Sequence, residues 1–337
     1  MYMMKKKIVV VYGGYSSEKD ISKESADGVC SFIDKEKYDV FPVLISKEKW
    51  CAVVGNKEYP VSKGDFSFII DNTKIVPDCV YNTIHGTPGE DGTFQGYLKM
   101  LGIPHTSCDV FTAALTFNKE ACKSFLTPFG YQSAEAFHIQ DNPWWSVLDL
   151  DSLVKFPCIV KPNSGGSSVG ISKVYKFDDL EPAINKAHQE SNAALVEEFI
   201  DGMEITCGLY KVNDEIIFLP PTLIVSENDF FDFDAKYSKG KSREITPAPI
   251  DKSLLNELQS NSESIYDLLN CKGFIRIDYI VKEEEEGKGI EENIFLLEVN
   301  SNPGMTSRSI IPQQIAAKGL NIKDVFTDII EDSIRCK

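Results

Sequence analysis

Two short β-type runs near the C-terminus constrain this chain more than any other feature. They are Gly273-Phe274-Ile275-Arg276-Ile277-Asp278-Tyr279-Ile280 and Phe295-Leu296-Leu297-Glu298-Val299-Asn300, the second followed at once by Ser301-Asn302-Pro303-Gly304-Met305-Thr306-Ser307. Each run is apolar except for one pair of polar residues at alternate positions. Successive side chains of a strand point to opposite faces, so Arg276 and Asp278 share a face, and so do Glu298 and Asn300. The link at residues 283–292 is acidic and contains Gly, which predicts the turn of a hairpin. Pairing the strands gathers a cation, two carboxylates and an amide oxygen in one patch. Oxygen donors of this kind suit Mg²⁺, which binds through one or two carboxylates together with substrate phosphates. The patch therefore points to phosphoryl chemistry and away from zinc.

Composition narrows the partners. The 337 residues are enough for two or three domains and a substantial core, and 42% hydrophobic with 26% charged residues is ordinary for a globular protein. A net charge of −16 leaves no basic stripe for a nucleic acid, although a few local lysines suffice for one nucleotide. The nine Cys form no C-x-x-C pair, which predicts buried thiols in a reducing compartment, and the four His show no metal-ligand spacing. The apolar run after the N-terminal lysines is too short for a signal-peptide core, and no stretch of about 18 apolar residues occurs, so a cytoplasmic protein without a membrane partner is expected.

Along the chain, Lys7-Ile8-Val9-Val10-Val11-Tyr12 is a continuous β-branched run that fits a buried parallel strand. It ends in Gly13-Gly14, after which Ser16 or Ser17 is placed to cap a helix carrying Glu18 in its first turn. Further strands are predicted at 38–45 and 78–84, the latter leading through His85-Gly86-Thr87-Pro88-Gly89-Glu90-Asp91-Gly92 into an amphipathic helix at 93–101. This alternation predicts an open α/β domain over roughly the first hundred residues. A middle segment follows, with a helix carrying Lys119 and Lys123, strands at 156–162 and 194–200, and a helix at about 180–189. From residue 201 to Pro303 the reading is mostly β.

Lys161 is followed by Asn163-Ser164-Gly165-Gly166-Ser167-Ser168-Val169-Gly170, a loop of small residues returning into a strand. Small residues let backbone N–H groups approach phosphate oxygens, and the Lys adds positive charge. Neither a Walker P-loop nor a dinucleotide fingerprint is present.

Taken in order, these segments resemble the ATP-grasp ligases, and within them the D-alanine–D-alanine ligase family. The resemblance spans essentially the whole chain. It rests on Tyr12-Gly13-Gly14 with residues 16–22, His85-Gly86 with Gly89-Glu90-Asp91-Gly92, Lys119, Val160-Lys161-Pro162 with Gly166-Ser167-Ser168-Val169-Gly170, Glu197, Asp234-Ala235-Lys236-Tyr237, Arg276-Ile277-Asp278, and Glu298-Val299-Asn300 with Pro303-Gly304-Met305-Thr306-Ser307. It implies an α/β, three-domain ATP-grasp architecture, divided at 1–106, 107–196 and 197–337. It also implies ATP-dependent joining of two D-alanines through an acyl phosphate, for peptidoglycan precursor synthesis.

The resemblance further implies residue roles. Lys119 and Lys161, with Ser167 and Ser168, would hold ATP phosphates. Glu197, Glu198, Phe199 and Ile200 would form the adenine and ribose hinge, with Glu204 on the ribose. Asp278, Glu298 and Asn300 would ligate two Mg²⁺ (or Mn²⁺), Glu298 bridging them. Arg276 and the Gly304 amide would stabilise an oxyanion. Glu18 would hold the first substrate's ammonium, with His85 near its carboxyl group. Ser309 and Lys236 would hold the second substrate's carboxylate, Lys236 also serving the ATP side. Tyr237 and Ser167 would hydrogen-bond toward Glu18 and tie down a lid at 225–246. A homodimer is expected on the same ground. Glu198 stands where many relatives carry Lys, and Arg308 where some carry His or Glu. The alternatives are a D-alanyl-D-lactate or D-alanyl-D-serine ligase, another carboxylate–amine ligase of the fold, and a nucleotide-binding protein without turnover.

Overall fold

Among the described residues, three main sheets carry the chain, and each answers to its own hydrophobic pattern. The computed structural model describes residues 5–141, 150, 153–226, 242–283 and 289–335. In the first sheet, strand Lys6–Gly13 lies parallel between Tyr38–Ile45 and Cys79–Asn82. Trp50–Val54 and Lys57–Pro60 extend it antiparallel. Ile8, Val10 and Tyr12 face a core shared with helix Lys19–Phe32, whereas Val9 and Val11 face the core around Phe94 and Leu98 of helix Thr93–Leu101. Both faces are covered, so the strand is apolar at every position instead of alternating. Burying each such Val or Ile side chain contributes about 1.5–3 kcal/mol.

The second sheet is antiparallel throughout, in the order Ser172–Val174, Cys158–Pro162, Ala193–Glu198 and Ala136–Gln140. Helix Leu180–His188 buries Leu180, Ala183, Ile184 and Ala187, spaced as one helical face, against Cys158, Val160, Ala194 and Val196. Residues 199–202 then link this sheet to the third.

The third sheet runs Ser242–Ile245, Thr222–Ser226, Met203–Val212, Ile275–Val281, Ile294–Asn300, with Glu215–Phe218 pairing on Met203–Val212. The expected hairpin is present: Arg276 pairs with Asn300 and Asp278 with Glu298, and the register shifts between Asp278 and Tyr279. Ile205, Cys207, Leu209, Ile275, Ile277, Tyr279 and Val299 point into one core. The alternate residues, among them Thr206, Arg276, Asp278, Glu298 and Asn300, are left for the opposite face.

Some expectations need correction. The stretch from 201 to Pro303 is not mostly β, because Lys252–Leu268 is a 17-residue helix. Asp251 caps it by accepting from the Ser253 and Leu254 amides, and Leu254, Leu258, Ile265 and Tyr266 form its buried face. Four serines and two asparagines in that helix hid the periodicity behind residues of low helical propensity. The first helix begins at Lys19, with Glu18 as its N-cap and no side-chain cap bond there. Ser16 Oγ is used elsewhere, accepting the Glu18 amide at 3.3 Å and donating to the His85 carbonyl at 2.9 Å. The strand expected at 156–162 starts at Cys158, and the one expected at 194–200 spans Ala193–Glu198. The segment 225–246 begins and ends in paired strands, Thr222–Ser226 and Ser242–Ile245. Lys236 and Tyr237 lie outside the described residues, as do residues 284–288 of the predicted turn at 283–292.

Sequence order and spatial order interleave. Helix Lys119–Leu126 sends Cys122 and Leu126 into the core of the third sheet, while helices Ile310–Ala317 and Ile322–Arg335 bury Ile311, Ile315, Phe326 and Ile330 against the first. The eight described cysteines are free thiols, seven of them buried, as expected from their spacing. Among the described residues, no helix is long and apolar enough to cross a membrane.

Candidate active site

The polar face of the third sheet holds two carboxylates directly opposite each other, Asp278 and Glu298. Like charges across a ladder repel, so such a pair persists only when cations compensate it. Arg276 grips Asp278 with two nitrogens, Nη2 at 2.7 Å from Oδ2 and Nε at 2.9 Å from Oδ1, and Nη2 stands 3.6 Å from Glu298. Lys119 Nζ approaches Glu298 from the other side at 3.6 Å. Thr206 Oγ1 and Asn300 Nδ2 donate to Asp278, and Asn300 also donates to Glu298. Burial works against an ionised Glu298, but Lys119, Arg276 and Lys161 outweigh it and hold its carboxyl down to about 2. The donors are two carboxylates and one amide, all hard oxygen ligands, and among the described residues no cluster of three His, Cys, Asp or Glu side chains gathers. This set fits a divalent cation that takes its remaining ligands from phosphate and water, as Mg²⁺ does.

The phosphate-type loop is fastened to this patch. Asn118 caps helix Lys119–Leu126 by accepting the Ala121 amide at 2.9 Å, and Asn163 Nδ2 donates to the same oxygen at 3.0 Å. Asn163 Oδ1 accepts the Glu120 amide, and the Lys119 amide donates to the Asn163 carbonyl, both at 3.0 Å. The helix start and the loop start are thus one unit, and Lys119 Nζ reaches the Gly165 carbonyl at 2.6 Å. Ser167 and Ser168 both hold positive φ, at 53° and 57°. Left-handed backbone at a non-glycine residue costs of order 1–3 kcal/mol and tends to mark functional loops.

The N-terminal segment closes the opposite wall. The Glu18 carboxylate turns away from its own helix and accepts a hydrogen bond from Ser167 Oγ. His85 is buried, and its Nε2 lies 3.1 Å from Ser25 Oγ, which in turn accepts the Met305 amide at 3.3 Å. Asn302 Nδ2 donates to the Ile84 carbonyl at 2.9 Å. These bonds draw the 301–309 loop against the first sheet. There Gly304 comes so near Ser309 that a Cβ on it would stand 3.1 Å from the Ser309 hydroxyl.

One cleft of about 620 Å³ results. Glu18, His85, Lys119, Lys161, Ser167, Ser168, Arg276, Glu298, Asn300, Gly304 and Ser309 all line it, from segments up to 291 positions apart (309 − 18). Asp278 is buried just behind this wall under Arg276. Glu197 is also buried, with Lys123 Nζ at 2.6 Å from one carboxylate oxygen and Lys161 Nζ at 2.7 Å from the other. Glu198 is exposed, and Phe199 and Ile200 are half-buried at the start of the link, with Lys173 Nζ 3.6 Å above the Phe199 ring. Glu204 is half-buried on strand Met203–Val212.

Two lining or supporting residues escaped the sequence reading. Glu90, quoted only as part of a motif, lines the cleft and accepts the Gly86 amide at 2.6 Å. Burial, then the nearby Glu18 carboxylate, push its carboxyl up to about 8. Lys123 was read as a helix residue without a role. Neither position carries a local signal, since the partner in each case comes from the fold.

Known proteins match this chain from end to end. The model described as D-ala D-ala ligase N-terminus matches residues 7–108, and that described as D-ala D-ala ligase C-terminus matches residues 129–331. A D-alanine–D-alanine ligase of Parabacteroides distasonis is 46% identical over 333 residues, 98% of each chain. The solved VanG D-Ala:D-Ser ligase from Enterococcus faecalis superposes with a TM-score of 0.84 at 28% identity, over 98% of this chain and all of that one. The D-alanine–D-alanine ligase from Bacillus anthracis complexed with ATP gives 0.76 at 28% identity, over 99% of this chain and 98% of that one. Likeness at this identity and coverage, with both halves matched in order, shows that the chain belongs to the D-alanine–D-alanine ligase family.

Proposed function

We propose that the chain joins two D-alanines to D-alanyl-D-alanine at the expense of ATP, as a step in making peptidoglycan precursors. The observation that carries the reading is the cleft that brings Lys119, Lys161 and Arg276 together on one side and the Glu18 carboxylate on the other. A triphosphate suits the first side and an amino acid's ammonium the second. The family membership supports the same division of labour.

A carboxylate is a poor electrophile, so it must first be activated. Glu18, oriented by Ser167, holds the ammonium of the first D-alanine, and His85, fixed by Ser25, faces its carboxyl group. Lys119, Lys161 and the backbone of the 165–168 loop take the phosphates, while the hinge at Glu197, Glu198, Phe199 and Ile200, with Glu204, takes the nucleoside. Asp278, Glu298 and Asn300 would hold two Mg²⁺ (or Mn²⁺), which when bound would neutralise phosphate charge. One carboxylate oxygen of D-alanine attacks the γ-phosphorus, ADP leaves, and an acyl phosphate forms. The amine of the second D-alanine, its carboxylate held by Ser309 and Lys236, then attacks the acyl carbon and inorganic phosphate leaves. Arg276 and the Gly304 amide face the oxyanion that forms in between. Lys236 and Tyr237, on a segment outside the described residues, are assigned to the lid by family pattern alone. The division at 1–106, 107–196 and 197–337 is supported by the order of the three sheets, although strand Ala193–Glu198 of the second runs two residues past the 196/197 boundary. A cytoplasmic homodimer is proposed from family membership.

Phosphate release from Mg-ATP with D-alanine, L-alanine, D-serine and D-lactate, with products identified by mass, tests the reading. Release with D-alanine alone, yielding the dipeptide, is expected. A mixed D-alanyl-D-serine product would favour a second reading, which the likeness to a D-Ala:D-Ser ligase keeps in play. No turnover with any of the four would refute the enzyme assignment.

A further inference from the structure

Three charged side chains lie buried together beneath the floor of the cleft. Glu197 shares its carboxylate between two ammoniums, Lys123 Nζ 2.6 Å from Oε1 and Lys161 Nζ 2.7 Å from Oε2, and the three side chains are only 3–5% exposed. The two lysines are not equivalent, because Lys161 lines the cleft and Lys123 does not. Lys123 sits one helical turn beyond Lys119, on the helix whose start is tied to the 163–165 segment through Asn118 and Asn163.

We infer that Lys123 is a positioning residue of the nucleotide site, the permanent counter-ion of Glu197 that frees Lys161 to move onto a phosphate. The argument is one of charge. A lysine that binds a triphosphate must leave, or loosen from, whatever carboxylate it held before. If Glu197 had Lys161 as its sole partner, that departure would strand an ionised carboxylate out of water, which is strongly destabilising. With Lys123 fixed on the other oxygen, Glu197 stays paired whether Lys161 faces inward or toward the cleft. Burial, then the repulsion from Lys161, push the Lys123 amine down to about 8. Burial raises the Glu197 carboxyl, but the two ammoniums outweigh it and the net shift is downward. Two cations on one buried anion therefore leave a surplus charge, and Lys161, the one at the wall, is the one available to a ligand.

The inference rests on the reading of Lys161 as a phosphate-binding lysine, and the test separates the two. Affinities for Mg²⁺-adenosine 5′-(β,γ-imido)triphosphate and for adenosine are measured by calorimetry on the full chain. Lys123→Met clamps Lys161 onto Glu197 and is expected to weaken imido-triphosphate binding by about tenfold, equivalent to about 1.4 kcal/mol, with adenosine affinity unchanged. Lys123→Arg keeps a cation beside Glu197 and is the variant expected to fold best and to retain wild-type imido-triphosphate affinity. Equal losses for both ligands in Lys123→Met, no loss there, or the same loss in Lys123→Arg would overturn the role of Lys123. Lys161→Met is the control for the underlying reading: unchanged imido-triphosphate affinity there removes Lys161 from the phosphates, whatever Lys123 does.

Discussion

A carboxyl group buried beside another carboxylate resists ionisation, and Glu90 is in that position. Its unfolded-state value is 4.5 and its folded value about 8. Between those values the folded chain binds a proton that the unfolded chain has released, so this group makes stability fall as pH rises through the window. Urea midpoints at the two ends of that window should therefore differ less in Glu90→Gln than in the parent, and an undiminished difference would show that Glu90 does not titrate there. Arg276 offers a different test. Its guanidinium neutralises Asp278 and stands 3.6 Å from Glu298, so the proposed oxyanion role would need Arg276 to loosen from Asp278. Arg276→Ala is expected to lose at least ~10²-fold in turnover, as loss of one oxyanion donor does, while nucleotide affinity is kept; near-normal turnover would take Arg276 out of the chemistry. Asp278, Glu298 and Asn300 were legible in the sequence because a two-residue period within each strand, with the two strands paired as a hairpin, puts them on one face. Lys123 and Glu197 were not legible as a pair, since 74 positions separate them and each on its own is an ordinary charged residue.

Helix Lys19–Phe32 brings the Glu18 wall toward the Gly304 loop, and Gly28 sets how near they come. A Cβ at Gly28 would stand 2.2 Å from the Met305 carbonyl oxygen. Replacing a helical Gly by Ala ordinarily stabilises by about 1 kcal/mol. Here the sign should reverse, with Gly28→Ala costing about 1–3 kcal/mol as overpacking does, and with turnover reduced because Met305 adjoins Gly304. A rise in melting temperature would show that the loop yields freely. The hairpin at 275–300 was readable because strand alternation and an acidic turn agree. Helix Lys252–Leu268 was missed because its cap, Asp251, precedes a stretch rich in Ser and Asn, and its apolar stripe is defined only by the sheet it covers. Leu258 is fully buried in that stripe. Leu258→Ala should cost about 2–5 kcal/mol in urea unfolding, and a cost near zero would contradict the packing of this helix.

Across the molecule, the cleft exists because three sheets meet through segments remote in sequence. The first sheet contributes Glu18 and His85 from turns beyond its strand ends, the second Lys161 and its loop, the third the carboxylate face. Order along the chain made the family resemblance and the α/β class legible. It did not reveal that the C-terminal helices complete the N-terminal core, or that Lys119–Leu126 packs on the third sheet, because both depend on which apolar faces find each other after the strands have paired. The reaction proposed to unite these parts is one in which an oxygen of the first D-alanine passes to phosphate. D-Alanine labelled with ¹⁸O in its carboxyl group, turned over with Mg-ATP and the purified chain, makes that transfer visible by mass spectrometry of the released phosphate. Activation as an acyl phosphate puts one ¹⁸O atom into each phosphate released with dipeptide. Dipeptide formed with unlabelled phosphate, or label carried into AMP, would contradict it.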